Sequence, residues 1–397
     1  MNSASAVTAD LAPSHALPRS LVLLFAFCCG AIVANLYYAQ PIIELIAPDV
    51  GLGPERASLI VALTQIGYAA GLLLLVPLAD LLENRRLMLL TTGAAFVCLL
   101  LAATSHAPGP FLLLSLLLGL SSVSVQMLIP LAAHLAPEAS RGRVVGNIMG
   151  GLLLGILLAR PVASLVAGHF GWRAVFFGAA ALMIGIGLTI ALTIPRHAPS
   201  HRASYGQLLG SLWHLLRRYP ALRRRALYQG LMFAAFSLFW SVSPIELVRH
   251  DGLSQTQVAL FALVGAVGAI AAPIAGRLAD AGHTRRATLV ALLLAPLALA
   301  GSLAVPGPSW VGLVLAAVLL DFAVQLNMVL GQRTIYALEP QSRARLNALY
   351  MTSIFVGGAF GSAVASPLFE RFGWPGVALL GAALPGLALL AFLLRGR

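Results

Sequence analysis

Two charged residues stand where the surrounding sequence offers them no water. Asp321 interrupts an apolar run over roughly residues 310–336, and Arg160 interrupts another over roughly 144–167. An aspartate or arginine at the centre of a bilayer costs about 2.5–3.5 kcal/mol on insertion scales, so such groups face protein or a water-filled cavity and mark functional sites. A carboxylate held there can take up and release a proton, which is the chemistry of ion coupling. Asp321 follows Ser309 by about a dozen residues, hence about 18 Å at 1.5 Å per residue, and Arg160 precedes Gly171 by a similar stretch. The two therefore lie at comparable depth, compatible with a charge-assisted pair. Arg160 reads in two ways: as a group that binds an anionic substrate or modulates Asp321, or as a structural anchor.

Polar and aromatic residues gather at matching places in other runs. Asn35, Tyr37, Tyr38 and Gln40 cluster in the first, and Trp240, Ser241 and Ser243 in the seventh. Gln126, Gln325 and Asn327 are further candidates, with Gln325 one helical turn beyond Asp321 on the same face. Aromatic faces beside a few hydrogen-bonding groups suit an amphipathic substrate, whereas aromatics at run ends also suit the interfacial belt. Cys28, Cys29 and Cys98 fall inside apolar runs with no metal spacing. No Ser-His-Asp set or phosphate loop is present, so neither a cofactor nor a metal is expected.

The elements that must hold these residues follow from composition. Apolar residues make up 59% of the 397-residue chain and charged residues 10%, and mean hydropathy is +0.92. A water-soluble domain carries about 25% charged residues, so this chain cannot cover a globule with polar side chains. Apolar runs broken by Pro, Gly and charge give twelve segments, at roughly 21–46, 57–79, 87–104, 111–135, 144–167, 173–194, 226–247, 258–279, 287–304, 310–336, 346–369 and 375–394. Lipid offers the backbone no hydrogen-bond partner, so each segment is expected to be helical, with Pro41, Pro130 and Pro244 as kink sites.

All 25 basic residues are arginine, and the net charge is +12. Twenty arginines fall on one side of the twelve-segment topology, four on the other, and Arg160 within a span. That asymmetry is the positive-inside pattern, not a phosphate-tracking groove, and it places both termini in the cytoplasm. Nucleic acid is excluded as a partner. The chain divides into a polar N-terminus (1–18), a first half (19–195), a basic linker (196–225) and a second half (226–397). Leu208, Leu209, Leu212, Trp213, Leu215 and Leu216 predict a short amphipathic helix in that linker.

The two halves repeat each other. Asp80 followed by Arg85 and Arg86 recurs as Asp280 followed by Arg285 and Arg286, and Ser140-Arg-Gly-Arg143 recurs as Ser342-Arg-Ala-Arg345. Gly155 maps to Gly357, Gly171-Trp172 to Gly373-Trp374, and Pro41 to Pro244. Such duplication predicts two pseudo-symmetric six-helix bundles, an all-α integral membrane fold of twelve transmembrane helices.

On these residues the sequence resembles the major facilitator superfamily, through Gly276-Arg-Leu-Ala-Asp280 with Arg285-Arg286 and the copy ending at Asp80. The runs Asn35–Pro41 and Gly155–Pro161 are similar to bacterial members described as drug-efflux-like. Val76 and Glu83 stand where the signature has glycines, Ser115 where many proton antiporters have arginine, and Arg160-Pro161 where they have Gly-Pro. The resemblance implies a monomeric secondary transporter in a bacterial inner membrane, exporting a small amphipathic molecule in exchange for protons. A proton-coupled importer shares the architecture. A membrane-embedded enzyme or receptor would need a catalytic constellation or an appended soluble domain. The resemblance also implies gating by Asp80, Arg85, Arg86, Asp280, Arg285 and Arg286, with Asp80 meeting the eleventh helix near Asn347 and Asp280 the fifth near Val144 when the inner gate is closed.

Overall fold

The computed structural model describes residues 18–195, 204–304 and 309–394. Most of the polar N-terminus, the first part of the linker, and Arg196, Arg202, Arg395 and Arg397 lie outside the described residues. The first half comprises α1 (Arg19–Ala34), α2 (Ile43–Asp49), α3 (Leu59–Leu74), α4 (Asn84–Ala103), α5 (Pro108–Ser121), α6 (Ser124–Leu135), α7 (Arg141–Phe170) and α8 (Trp172–Thr193). The linker forms α9 (Tyr205–Arg218), and the second half α10 (Pro220–Arg249), α11 (Gln255–Val264), α12 (Ala271–Asp280), α13 (Thr284–Gly301), α14 (Ser309–Tyr336) and α15 (Arg343–Leu394). Among the described residues, ten helical stretches are long and apolar enough to cross a bilayer, and Arg19–Ala34 is a shorter apolar helix.

Several expected single spans are built in pieces. Residues 21–46 were expected as one helix, but α1 stops at Ala34, a short 3₁₀ turn runs Gln40–Ile42, and α2 follows. The break is buried: Asn35, Leu36, Tyr37, Tyr38, Gln40 and Pro41 are all enclosed by protein. That is the condition under which non-helical backbone survives at membrane depth. α5 and α6 likewise part at Ser122 and Val123, and α11 and α12 are joined through 3₁₀ backbone over Gly265–Ile270. α15 instead merges two expected segments, and Gly373 breaks it with φ 60° and ψ −162°, a conformation only glycine adopts readily. Pro41 coincides with a break, whereas Pro130 and Pro244 sit inside helices that stay continuous.

Two helix starts carry their own caps. Ser204 opens α9 and Ser254 opens α11, each in a reciprocal box with Gln207 or Gln257 three residues on. α9 is the expected amphipathic helix, with Leu212 and Leu215 buried, Trp213 exposed, and Arg217 over the indole at 4.6 Å.

Small residues let the long helices touch along their backbones. A Cβ at Gly30 of α1 would lie 2.6 Å from the Gly151 carbonyl of α7, and one at Gly155 would collide with the Gly30 backbone. The same device recurs in the second half, where a Cβ at Gly357 of α15 would collide with Gly230 of α10, and one at Gly361 with Ala234. Lipid supplies no hydrophobic drive between helices, so this close approach supplies the packing energy instead. The repeat mapping Gly155 to Gly357 is thus a repeat of one interface. Gly155→Leu and Gly357→Leu are each expected to cut the yield of monodisperse protein and lower its melting temperature. Gly150→Leu, in open space, should leave both unchanged.

Candidate functional site

Four elements from the two halves converge at mid-depth. α7 supplies Arg160, the break after α1 supplies Tyr37 and Gln40, α10 supplies Phe236 and Trp240, and α14 supplies Asp321. The charged side chains are almost enclosed, Arg160 at 5% and Asp321 at 7% exposure, with Trp240 at 1% and Gln40 at 0%. Arg160 Nε donates to Gln40 Oε1 at 2.8 Å. Its guanidinium carbon lies 4.5 Å from the centre of the Trp240 ring, 5.0 Å from Tyr37 and 5.3 Å from Phe236. A desolvated cation gains about 2 kcal/mol or more over such a face, and three faces here share one cation.

The expected pair of Arg160 and Asp321 takes a different form. The two reach the same layer, but they make no direct ion pair; each contacts the Trp240 indole instead. Trp240 presents its face to Arg160 and donates from Nε1 to Asp321 Oδ1 at 2.9 Å. The ring is itself held edge-on by Phe239 at 5.4 Å and packed by Phe261 at 5.5 Å. Gly265 and Gly268 make the room: a Cβ at Gly265 would lie 2.6 Å from Asp321 Oδ2, and one at Gly268 2.8 Å from Asp321 Cβ. Neither glycine was legible as a site residue from the sequence, although their place opposite Asp321 explains the 3₁₀ backbone there.

The other sequence candidates divide. Asn35 turns into the first half, where its amide donates to Ser122 Oγ at 3.4 Å and to the Met183 sulfur at 3.6 Å. Asn327 pairs with Gln229 at 2.6 Å within the second half. Tyr38 is buried and Gln325 half-buried. Gln126 donates to the Tyr68 hydroxyl at 3.0 Å, and Tyr68 meets Phe355 of α15 edge-on at 4.6 Å. A polar seam missed by the sequence reading joins α3, α10 and α15: Gln65 donates to Ser237 at 3.0 Å, and Ser241 and Ser362 share a bond at 3.1 Å. Gln65 is as conspicuous in its apolar run as Gln126 is in its own, and that was the available signal.

At the arginine-poor end the halves are tied by charge. Arg249 of α10 grips Glu44 of α2 through Nε at 2.9 Å and Nη2 at 2.8 Å, while its Nη1 reaches Glu370 of α15 at 2.6 Å. Bidentate arginine–carboxylate geometry of this kind fixes orientation as well as energy. Ser58 and Ser366 exchange amide-to-hydroxyl bonds at 3.1 Å, and Ser164 of α7 donates to Gln255 of α11 at 3.2 Å. Nearby, Asp49 accepts from the Trp172 indole and from Arg173, and these bonds hold its carboxyl below the usual range.

At the arginine-rich end the expected gate contacts are not made in this conformation. Asp280 pairs with Arg333 of its own half at 2.8 Å and not with α7 near Val144. Asp80 is exposed, and the Asn347 carbonyl is occupied by the Tyr336 hydroxyl at 2.8 Å. Arg85 is half-buried, and Arg86, Arg285 and Arg286 are exposed.

Comparison with known proteins fits this architecture. The profile described as Major Facilitator Superfamily matches residues 22–294 and 226–397. The chain is 41% identical over 390 residues to the "Uncharacterized transporter YgaY" of Escherichia coli O157:H7, covering 96% of each chain. It is 36% identical over 371 residues to the "Probable transporter SCO4007" of Streptomyces coelicolor, covering 92% of this chain and 85% of that one. The crystal structure of the nucleoside transporter NupG (D323A mutant) superposes with a TM-score of 0.76 at 16% identity, over 95% of this chain and all of the other.

The geometry makes Trp240 the test of the central layer. Trp240→Phe keeps a ring face for Arg160 but removes the donor to Asp321. A buried acceptor stripped of its partner costs about 1–3 kcal/mol, so the melting temperature of the purified protein should fall measurably. Phe239→Leu, one residue away, removes ring contacts with Trp240, Phe261 and Trp374 but no hydrogen bond, and serves as the packing control that leaves Asp321 with its donor.

Proposed function

The chain belongs to the Major Facilitator Superfamily of membrane transporters, and from that premise we propose a proton-coupled secondary transporter working by alternating access. Twelve spans are reached by counting the broken Arg19–Asp49 stretch as one and dividing α15 at Gly373. The proposal sets them as two six-helix bundles, 19–195 and 226–397, joined by the basic linker. The arginine-rich ends face the cytoplasm of a bacterial inner membrane, by the positive-inside rule.

One observation carries the reading. A buried carboxylate of the second half is linked through a single indole to a buried guanidinium of the first. A charge pair divided between the halves makes their relative position depend on the charge of Asp321. While Asp321 is ionised, Oδ1 holds the indole N–H and the charge attracts Arg160 across the ring. A proton arriving on Oδ2 cancels that attraction and leaves Arg160 uncompensated. The halves then favour a different arrangement, and the lock at Arg249, Glu44 and Glu370 opens. Asp80 and Asp280 take their seats on the opposite half in that outward-facing state.

Coupling polarity then depends on the charge of the substrate. A cation competes with the proton for Asp321 and gives antiport, the efflux reading implied by the sequence resemblance. An anion bound at Arg160 favours protonated Asp321 and gives symport. Tyr37, Gln40, Phe236 and Trp240 line the substrate site in either case.

Two outcomes test the scheme. In vesicles with an imposed pH gradient, Asp321→Asn should abolish gradient-driven accumulation while preserving exchange of substrate for substrate. Accumulation that persists in this variant would remove Asp321 as the proton carrier. In a chain freed of its three cysteines, Ser58→Cys with Ser366→Cys should form a disulfide that halts transport reversibly. Unchanged flux in the oxidised form would rule out opening at that end.

A further inference from the structure

We infer that Arg160 and Gln40 form a receptor for a small organic monoanion, with a carboxylate as its recognised group, and that this anion moves together with the proton of Asp321. This rests on the transport reading above and adds to it the substrate's charge and the direction of coupling.

The first observation concerns spent and unspent donors. Arg160 has its faces covered by the rings of Tyr37, Phe236 and Trp240, and its Nε bonded to Gln40. Recognition is thereby confined to the remaining edge of the fork. On that edge Nη2 is buried and has no acceptor. The second observation lies on the neighbouring side chain. Gln40 is 0% exposed, its oxygen is engaged by Arg160, and its Nε2 is also buried with no acceptor. Two adjacent buried donors without acceptors are costly in an apolar interior, and each is a place where a hydrogen bond belongs. The Ser243 hydroxyl, one turn beyond Trp240 on α10, is a third buried group without a partner.

The shape of this receptor selects its ligand. A guanidinium edge matches a planar two-oxygen acceptor, and the amide beside it adds a donor to one of those oxygens. Donors of this kind repel ammonium groups, and a neutral amide offers them one acceptor oxygen and no compensating charge where a carboxylate offers two oxygens and a charge. A single anion suffices, since the site holds one cation.

The charges of the site decide what accompanies the ligand. Asp321 is faced by the Trp240 indole from α10, by Gly265 and Gly268 from the 3₁₀ segment, and by Arg160 across the ring. Arg160 is faced by Asp321, by the Tyr37 phenol and by Gln40. Tyr37 is in turn faced by the Tyr68 phenol, and among the described residues Arg160 and Asp321 are the two charged groups of the layer. An ionised Asp321 balances Arg160, and a bound anion would leave one negative charge in excess. Protonation of Asp321 restores the balance. Anion and proton therefore bind together and cross together, which is symport.

The test uses purified full-length protein and a matched series: hexanoate and benzoate, each beside its primary amide and its amine. Binding is read by tryptophan fluorescence and thermal shift, and proton movement by pH change in weakly buffered solution. The carboxylates should bind, more tightly as pH falls, with proton uptake that Asp321→Asn abolishes. Arg160→Gln should weaken them about 10–100-fold, the loss expected for charge-assisted hydrogen bonds. Where Arg160→Gln fails to fold, Gln40→Glu serves, because its carboxylate neutralises the guanidinium and removes the Gln40 donor, and so should exclude the ligand. Preference for the amines with Asp321-dependent proton release would overturn the anion receptor and leave the transport reading standing. No Asp321-dependent proton movement with any member of the series would overturn both. Carboxylate binding that survives in Arg160→Gln and in Gln40→Glu would place the receptor elsewhere.

Discussion

The structure turns on the need to keep a positive and a negative charge in a membrane interior without fusing them into a permanent bond. A buried ion pair in direct contact is held tightly, and breaking it costs several kcal/mol. A transporter that divides such a pair between its halves would pay that cost in every cycle. Trp240 relaxes the constraint by contacting both charges, receiving Arg160 on its face and Asp321 on its N–H. Both charges are stabilised, and neither is locked to the other. The aromatic shell of Phe239 and Phe261 then exists to keep the indole in its plane.

The same constraint accounts for the local backbone. An indole filling the centre needs room on its carboxylate side, and Gly265 and Gly268 provide it by removing two side chains from the facing segment. It also needs a first-half surface that reaches Arg160, which the break between Ala34 and Gln40 provides by turning Tyr37 and Gln40 inward. The breaks are therefore products of the site, tolerated because protein encloses them. The helices away from the centre follow ordinary rules instead: glycine seams, caps at the water boundary, and bidentate arginine at the closed end.

Sequence carried the large features because lipid makes them obligatory. Twenty-residue apolar runs and arginine asymmetry are consequences of a solvent that accepts no bare backbone and little charge, and the repeat at Asp80 and Asp280 is legible because the two halves duplicate one pattern. Asp321 and Arg160 were conspicuous for the same reason. The role of Trp240 was not legible, since an aromatic in an apolar run has many uses and only the fold shows which two charges it contacts. Asn35 and Gln40 looked alike in one short stretch, yet the turn that follows α1 sends Asn35 to Ser122 and Met183 and Gln40 to Arg160. Helix periodicity contains no signal for that turn. Gly265 and Gly268 were invisible for a related reason: a glycine among apolar residues announces close approach, but not what approaches.

The arrangement at the two ends explains why the central layer can be closed while its donors remain unspent. Contacts that bind the halves gather at the arginine-poor end, where Arg249 holds carboxylates from α2 and α15 and the serine pair seals α3 against α15. At the other end Asp280 is engaged within its own half. A molecule closed on one face by charge, and held at its centre by a ring and not by a salt bridge, stores its preference at the periphery. On the proposed scheme, a ligand that satisfies Arg160 and Gln40 need not break the centre in order to act. On that scheme it changes the balance of charge around Trp240, and that change is weighed against the bonds of Arg249 and the serine pair at the closed end. The scheme puts the sensing group and the holding group in separate parts of the fold, joined by α10, which carries both Trp240 and Arg249 on one continuous helix.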